Sequence, residues 1–182
     1  MARYVALLRG INVGGNNLIK MSALKACFEA EGFSDVVTYI QSGNVLFTSN
    51  ATPSAKLEAR IEIVLAATFK YVASVMVRSH KEMRAIVADA PAGFGKQPLK
   101  YRYDVIYLKA PLNPAAALKD FPLKPGVDQA AAGPGVLYAS RLISKASQSR
   151  ISKIVALPTY KSMTIRNWNT TSTLLRLMDD AE

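Results

Sequence analysis

Residues 36–48 read VVTYIQSGNVLFT, and this stretch decides the fold. Val36–Ile40 and Asn44–Thr48 are rich in β-branched and aromatic residues, a composition typical of strands. Between them, Gln41–Gly43 interrupts the apolar pattern with residues that favour turns. The stretch therefore predicts two neighbouring strands joined by a tight turn.

A helix is predicted on each side of this hairpin, because apolar residues recur there at helical spacing. The residues of the first helix that show this spacing are Met21, Leu24, Cys27 and Phe28, and Gly32 follows them as a stop signal. Those of the second helix are Leu57, Ile61, Val64 and Leu65. Thr52 is predicted to cap the second helix, with Pro53 at its first position.

Two further strands enclose this pattern. Arg3–Leu8 is an almost continuous apolar run, as expected of a strand that is covered on both faces. Ala73–Arg78, in which Val75 and Val77 alternate with Met76, predicts a fourth strand. The order of elements is then β-α-β-β-α-β, the ferredoxin-like or α/β-plait unit.

The same order of elements is predicted a second time. A short helix at Lys81–Ala88 leads to a stretch rich in glycine and proline, residues 91–100, which is interpreted as a linker. The predicted elements after it are a strand at Arg102–Lys109, a helix at Pro114–Asp120 capped by Asn113, strands at Gly126–Ala131 and Val136–Leu142, a basic helix at Ser147–Leu157, a strand at Tyr160–Ile165 and a helix at Asn169–Met178. We therefore expect an α+β fold of two tandem ferredoxin-like halves with mainly antiparallel sheets, residues 1–90 and 101–182. Only the order of elements supports the repeat.

Composition excludes several classes of protein and site. Half of the residues are hydrophobic, yet no apolar run approaches the roughly 18 residues that cross a bilayer, so a cytoplasmic protein without membrane partners is predicted. Cys27 and His80 are the only cysteine and histidine, which excludes an intrachain disulfide and cysteine–histidine zinc sites. Cys27 is predicted to lie in the core, and His80 to be solvated or to cap a helix. We expect neither a cofactor nor a metal.

The formal net charge of +10 is unevenly distributed. Residues 129–178 contain seven basic residues and no Asp or Glu. A field of one sign raises the local concentration of anions, whether nucleic acids, nucleotides or acidic proteins. A solvated basic face would have the same composition, so charge alone leaves both interpretations open.

The first polar segment with the residues for a ligand site is Arg9–Gly15, at the end of the first strand. Glycines allow a ligand to approach the main chain, and arginine supplies a planar set of donors. The predicted ligand-binding residues here are Arg9, Gly10, Asn12, Gly14 and Gly15. An ordinary strand-to-helix turn is the alternative.

Two other polar segments are candidates of the same kind. The hairpin turn contributes Gln41, Ser42 and Asn44, although a polar turn without function is the favoured interpretation when this segment is taken alone. The segment Thr164–Thr170 contributes Thr164, Arg166, Asn167 and Asn169, and Asn167 or Asn169 is predicted to cap the last helix. Its alternative is a capped helix with Trp168 in the core.

The phrases LLRGINVGG, TYIQSGNVLF and MTIRNWNT occur in this order in the chain. On these phrases the sequence resembles the bacterial family catalogued as domain of unknown function 1697, from Val5 to about Leu177. The resemblance implies a fold of α/β plaits. It implies no reaction, substrate, cofactor or catalytic residue.

The sequence favours binding over catalysis. The polar segments contain electrostatic stabilisers but no visible general base, nucleophile pair or metal site, although Asp35 or Asp104 could enter from elsewhere. The expected function is recognition of an anion or phosphate, as part of a nucleotide or a nucleic acid, and alternating Tyr101, Tyr103 and Tyr107 could stack bases. The alternatives are an enzyme that acts on a phosphorylated or carboxylated small molecule, and an interaction protein whose polar segments lock the two halves together.

Overall fold

The computed structural model describes residues 1–12, 18–70 and 72–181, and they form two compact units. The first unit comprises Met1–Met83 with Leu174–Glu182, and the second comprises Arg84–Thr173. Each unit contains one four-stranded antiparallel sheet. The α+β fold of two tandem ferredoxin-like halves is thereby confirmed. The stretch 91–100, which was predicted to be a linker, is part of the second unit.

The sheet of the first unit has the strand order β2-β3-β1-β4. Its elements are β1 (Ala2–Arg9), α1 (Met21–Ala30), β2 (Ser34–Tyr39), β3 (Asn44–Ser49), α2 (Ser54–Phe69) and β4 (Ser74–Ser79), and α3 (His80–Ala88) follows β4. The strand β1 pairs with β3 on one side and β4 on the other, and Tyr4–Leu8 are all buried. This central position explains why the strand is an uninterrupted apolar run.

The end of α1 follows the Schellman pattern, as the glycine stop predicts. Gly32 adopts a φ of 87°, and its N–H donates to the carbonyl of Glu29 at 3.0 Å. The N–H of Phe33 donates to the carbonyl of Phe28 at 3.3 Å, and the two rings lie 5.7 Å apart between centroids. The apolar contact and the two hydrogen bonds together fix the direction in which the chain leaves the helix.

The beginning of α2 differs from the prediction that Thr52 caps it. The helix begins at Ser54, and no side chain caps its first turn. The N–H of Thr52 instead donates to the hydroxyl of Tyr4 at 2.9 Å, and its own hydroxyl donates to the carbonyl of Asn50. Thr52 thus ties the loop to β1 and does not cap the helix.

The free edge of β4 is covered by carboxylates of α2. The N–H of Val75 donates to Glu62 at 2.8 Å, and that of Val77 donates to Glu58 at 2.9 Å. Unpaired N–H groups on an edge strand are a template for pairing with another chain. These two glutamates satisfy them, and they explain why Glu58 is buried.

The sheet of the second unit has the equivalent order, β6-β7-β5-β8. Its elements are β5 (Tyr101–Leu108), α4 (Pro114–Lys119), β6 (Asp128–Gly133), β7 (Val136–Leu142) and β8 (Met163–Asn167), and α5 (Trp168–Asp179) follows β8. Asn113 caps α4 as predicted, because its side chain accepts from the N–H groups of Ala115 and Ala116.

The predicted basic helix at Ser147–Leu157 is wrong. Three short 3-10 segments occupy this region, at Ile143–Gln148, Ile151–Ala156 and Pro158–Ser162. The N–H of Arg150 donates to Asp128, and that of Ile151 to the hydroxyl of Ser149, so side chains take donors that could bond elsewhere in a helix. The buried residues Ile151 and Ile154 are three positions apart, which matches the repeat of a 3-10 helix. The strand β8 consequently begins at Met163, later than predicted.

The two sheets correspond residue by residue, which the sequence did not reveal. Val5 pairs with Arg78 in the first sheet, and Val105 pairs with Arg166 in the second. Each arginine donates to the carbonyl of the residue before it, at 2.8 Å for Arg78 and 2.9 Å for Arg166. The side chain at this position is therefore repeated together with its backbone contact.

A second correspondence lies at the turn before the third strand of each sheet. The N–H of Leu8 donates to the carbonyl of Gly43 at 2.8 Å, and that of Leu108 to the carbonyl of Gly135 at 3.0 Å. Both glycines adopt a positive φ, 79° and 69°. Within the described ranges no helix is both long and apolar enough to cross a membrane.

Candidate functional site

The first two polar segments meet in the first unit. Because β1 pairs with β3, Leu7 lies opposite Asn44 at the base of the hairpin turn. The side-chain amide of Asn12 donates to the carbonyl of Gln41 at 3.0 Å and to that of Ile19 at 3.1 Å. Its oxygen accepts from the N–H of Ile19 at 2.8 Å. Asn12 therefore links Ile19, just before α1, to the hairpin turn.

The hairpin turn itself is closely packed. Asn44 is fully buried, and its amide donates to the carbonyl of Tyr39 and to the hydroxyl of Ser42. A Cβ atom on Gly43 would lie 2.7 Å from Cδ1 of Ile11. The amide of Asn44 thus bonds to a backbone carbonyl and to a side chain of its own unit.

The remaining residues predicted in these two segments differ in their surroundings. Arg9 is half-buried at the end of β1, whereas Gly10 and Gln41 are exposed. Gly14 and Gly15 lie outside the described residues. Ligand binding by this corner stays a prediction.

The third segment belongs to the second unit, and its first half is buried. The Arg166 guanidinium donates to the hydroxyl of Thr164 at 3.0 Å and to the carbonyl of Ile165 at 2.9 Å. Burial lowers the pKa of Arg166 to about 10, and the neighbouring Tyr107 opposes this shift. The hydroxyl of Tyr107 in turn lies 3.1 Å from that of Thr171 on α5. Thr164 and Arg166 are therefore part of the interior of the unit.

The second half of this segment opens onto a groove of about 750 Å³. Asn167 caps α5, because its side-chain oxygen accepts from the N–H of Thr170 at 2.7 Å. The residues that line the groove, which we call the tyrosine–arginine groove, are Gly95, Pro98, Tyr101, Arg102, Tyr103, Arg141, Ile143, Ala146, Asn167, Trp168 and Asn169. Of the predicted site residues that the structure describes, only Asn167 and Asn169 line it.

Three aromatic residues, Tyr101, Tyr103 and Trp168, line the tyrosine–arginine groove, and Phe94 packs against two of them. Phe94 contacts Tyr103, Tyr138 and Trp168 edge-on, with centroid separations of 4.8, 5.4 and 5.2 Å. A Cβ atom on Gly95 would lie 2.2 Å from Nε1 of Trp168, so only glycine lets the chain pass this close to the indole. The rings are thus fixed in position by packing. Rigid aromatic surfaces are suitable for stacking against a planar ligand.

The predicted tyrosine stripe divides into two parts with different surroundings. Tyr107 is fully buried, and its hydroxyl contacts α5. Tyr101 and Tyr103 are half-buried, with ring centroids 6.0 Å apart, and both line the groove. A ligand can therefore stack on Tyr101 and Tyr103 but not on Tyr107.

Two arginines of the groove lie opposite each other on paired strands. Arg102 of β5 pairs with Arg141 of β7, and like charges directly opposite repel. Nε of Arg102 lies 3.1 Å from the Asp104 carboxylate, which offsets one of the two charges. The side chain of Arg141 makes no hydrogen bond or ion pair to another residue in the described part of the chain. Arg141 also lies opposite Asp128 of β6 in the register of the sheet, but no ion pair joins the two side chains among the described residues. The guanidinium of Arg141 therefore has hydrogen-bond donors available to an anion in the groove.

The positive charge of the molecule belongs almost entirely to this unit. Between Arg84 and Thr173 the sequence holds thirteen basic and four acidic residues, so this unit carries +9 of the total of +10. Nζ of Lys100 lies 5.3 Å from the centroid of the Tyr101 ring and adds a further cation at the edge of the groove. A field of this kind attracts anions to the whole unit, and the groove offers them a concave surface.

Other groups with catalytic potential are occupied in structural contacts. His80 is buried, and its Nε2 lies 2.7 Å from the Asp179 carboxylate, so the expectation of a solvated or capping histidine is wrong. Ser79 supplies the cap in its place, through reciprocal hydrogen bonds with Glu82. Cys27 is buried as predicted. Among the described residues, no three His, Cys, Asp or Glu side chains gather in one place.

The sequence did not point to the arginines of the groove. Arg102 and Arg141 are far apart in the chain, and only the pairing of β5 with β7 brings them together. Trp168 was weighed as a core residue, yet it is half-buried and lines the groove. The available signal was the acid-free basic stretch, which contains Arg141 but does not single it out.

Comparisons with known proteins identify a similar solved structure and a family. The solved structure of "conserved bacterial protein SP0830 from Streptococcus pneumoniae" is 26% identical to this chain, with a TM-score of 0.85, and the match covers 97% of this chain and 98% of that one. No curated protein matches. Residues 1–138 match the family described as "Protein of unknown function (DUF1697)". The chain therefore belongs to this family.

Proposed function

We propose that the protein binds a nucleotide-type anion, a planar base joined to a phosphate, in the tyrosine–arginine groove. The observation that carries this proposal is the Arg141 side chain, which has no hydrogen-bond or ion-pair partner among the described residues and lies opposite a second arginine on the paired strand, in a groove lined by aromatic residues. A phosphate would relieve the repulsion between the two guanidinium groups, and a base would stack on the rings.

The start of α5 favours the same ligand. Asn167 and Asn169 lie at the first turn of this twelve-residue helix and line the groove. The first turn of a helix has N–H groups without helical partners and a partial positive charge, both of which stabilise a phosphate. The asparagine side chains add polar groups that can bond to a base or a sugar.

The groove favours binding over catalysis. Its described lining residues include arginines, tyrosines and amides but no carboxylate, histidine or cysteine. Asp104, which the sequence offered as a possible catalytic group, is engaged by Arg102. These groups can bind a negatively charged ligand. They do not include a side chain of the types that usually act as a general base at neutral pH.

Trp168 makes the proposal directly testable, because it is the single tryptophan of the chain and it lines the groove. We expect nucleotides to change its fluorescence in a saturable way and to raise the melting temperature. The substitution Arg141→Gln should weaken this binding about tenfold, in keeping with the loss of one charge-assisted contact of about 1.4 kcal/mol or more.

Arg150→Gln is the matched control, because Arg150 is an exposed basic residue of the same unit that does not line the groove. It removes the same charge and should leave the affinity within about twofold of the unsubstituted protein. Equal losses for the two variants would mean that the general field of the unit, and not the groove, attracts the anion. No response of Trp168 to any nucleotide or oligonucleotide would overturn the proposal.

A structural role is the second candidate function, and it concerns the polar corner of the first unit. It is favoured by the three hydrogen bonds of the Asn12 side chain to backbone groups. We expect Asn12→Gly, which tolerates the φ of 53° at this position, to lower the free energy of unfolding by about 2 to 3 kcal/mol, at about 1 kcal/mol for each bond. Asn12→Ala should cost more, because it adds backbone strain.

Chemical denaturation of the two variants measures these losses, and nucleotide titration of the same samples supplies the comparison. A structural corner predicts lower stability with unchanged nucleotide affinity. Unchanged stability with lost affinity would assign Asn12 to a ligand site instead.

A further inference from the structure

The tyrosine–arginine groove has a smaller neighbour on the same unit. This second depression has a volume of about 230 Å³, and Tyr101 and Tyr103 line both spaces. The two rings, 6.0 Å apart, therefore form a ridge between the depressions. A ligand larger than one nucleotide could occupy both depressions and contact the two tyrosine rings between them.

The two depressions differ in chemistry. The tyrosine–arginine groove contains Arg102 and Arg141, whereas the described residues that line the smaller depression carry no charge. Its polar groups are the amides of Gln97 and Gln129 and the hydroxyl of Ser140. Side-chain amides and hydroxyls bond to the edges of bases, and arginines bond to phosphates. One side of the ridge thus suits a phosphate and the other suits a base.

We infer that the natural ligand is a single-stranded nucleic acid of at least two nucleotides. One base stacks in the tyrosine–arginine groove with its phosphate between Arg102 and Arg141, the chain crosses the Tyr101–Tyr103 ridge, and a second base occupies the smaller depression beside Gln129. This inference rests on the proposed function, since it extends the ligand of the same groove. Single strands fit because their unstacked bases are free to stack on aromatic side chains, whereas the bases of a duplex are already stacked on each other.

The length of the ligand is the variable that tests the inference. The fluorescence of Trp168 is titrated with a nucleoside monophosphate, a dinucleotide and a tetranucleotide, each as RNA and as DNA. We expect the dinucleotide to bind about tenfold more tightly than the monophosphate, because it places a second base against an aromatic surface. The RNA and DNA series show whether the 2′-hydroxyl contributes to recognition.

Gln129→Ala is the matching variant for the smaller depression, and Gln129 is exposed, so the fold is expected to tolerate the change. It should weaken the dinucleotide and leave the monophosphate unchanged, while Arg141→Gln weakens both. Equal affinities for the monophosphate, dinucleotide and tetranucleotide would overturn the inference and keep the proposed function. Absence of binding at every length would overturn both. Tight binding of the dinucleotide that Gln129→Ala leaves unchanged would overturn the assignment of a base to the smaller depression.

Discussion

Tyr138 is a residue whose pKa is raised by its position in the interior of the second unit. Its ring is buried, and its hydroxyl donates to the carbonyl of Ile86 at 2.6 Å. Burial, and then the charges of Asp89 and Tyr107, raise the pKa of Tyr138 to about 12. The native packing therefore favours the neutral form of Tyr138.

The raised pKa predicts a loss of stability at high pH. Between about pH 10, the ordinary value for tyrosine, and pH 12, Tyr138 ionises in the unfolded chain but stays protonated in the folded one. The unfolded state then binds fewer protons, so the free energy of unfolding falls as the pH rises through this window. Tyr138→Phe removes this contribution, and its unfolding free energy should fall less steeply across the window.

Denaturant unfolding at intervals from pH 8 to pH 12 measures the effect. At pH 8 the variant should be less stable by about 1 to 2 kcal/mol, because the carbonyl of Ile86 loses its donor. The difference between the two proteins should then narrow as the pH approaches 12. Parallel curves over the whole range would contradict the assigned cause.

Single residues also show where sequence reasoning succeeded and where it failed at the candidate site. Asn167 could be identified as a helix cap, because capping depends on neighbours within three positions. The pairing of Arg102 with Arg141 could not be identified, because it depends on the register between two strands that are distant in the chain. Contacts between near neighbours in the chain can be predicted from the sequence. A site formed by residues of two paired strands can be predicted only when the register of the pairing is known.

The turns between elements depend on glycine for two separable reasons, which Gly32 and Gly43 illustrate. Both adopt positive φ angles, 87° and 79°. A Cβ atom on Gly32 would meet nothing within 4 Å, whereas one on Gly43 would lie 2.7 Å from Ile11 and 2.9 Å from the Cβ of Leu8. Gly32 is required only by its backbone conformation. Gly43 is required by its backbone conformation and also because no space is left for a side chain.

Alanine substitution should separate these two causes. Gly32→Ala is expected to cost about 1 to 2 kcal/mol, the strain of a left-handed conformation. Gly43→Ala should cost about 1 to 3 kcal/mol more, because the side chain of Ile11 and the backbone of β1 must shift. Urea denaturation of both variants gives the difference, and Gly32→Ala is the control for backbone strain. Equal losses would show that the hairpin corner can expand freely.

At the scale of elements, prediction was most reliable where one local signal dominated. The alternation of β4 and the glycine stop of α1 gave the right elements. The helix predicted at Ser147–Leu157 was wrong. Its apolar residues fit an α-helix and a 3-10 helix alike, and the hydrogen bond from the N–H of Arg150 to Asp128 of β6 is not visible in the local sequence. The two units share their strand order and their paired arginines, but only the first has a long helix between its third and fourth strands.

For the whole molecule, the separation of charge between the units is the feature most relevant to function. The second unit carries +9, which leaves +1 for the first. Binding that neutralises phosphates releases counterions, so its affinity falls with salt in proportion to the number of contacts. The proposed function therefore predicts that the affinity falls with salt and that basic residues of the second unit determine how steeply it falls.

We expect the logarithm of the affinity for a single-stranded tetranucleotide to fall by about 2 per tenfold increase in salt. This follows from about three phosphate contacts, supplied by Lys100, Arg102 and Arg141, at about 0.7 for each contact on a single strand. Arg141→Gln should reduce the slope by about 0.7, because it removes one contact. Lys56→Gln, on α2 of the first unit, removes the same charge and should leave the slope unchanged. If Lys56→Gln lowered the slope as much as Arg141→Gln, the net charge of the protein and not the groove would govern the binding, because Lys56 does not line the groove.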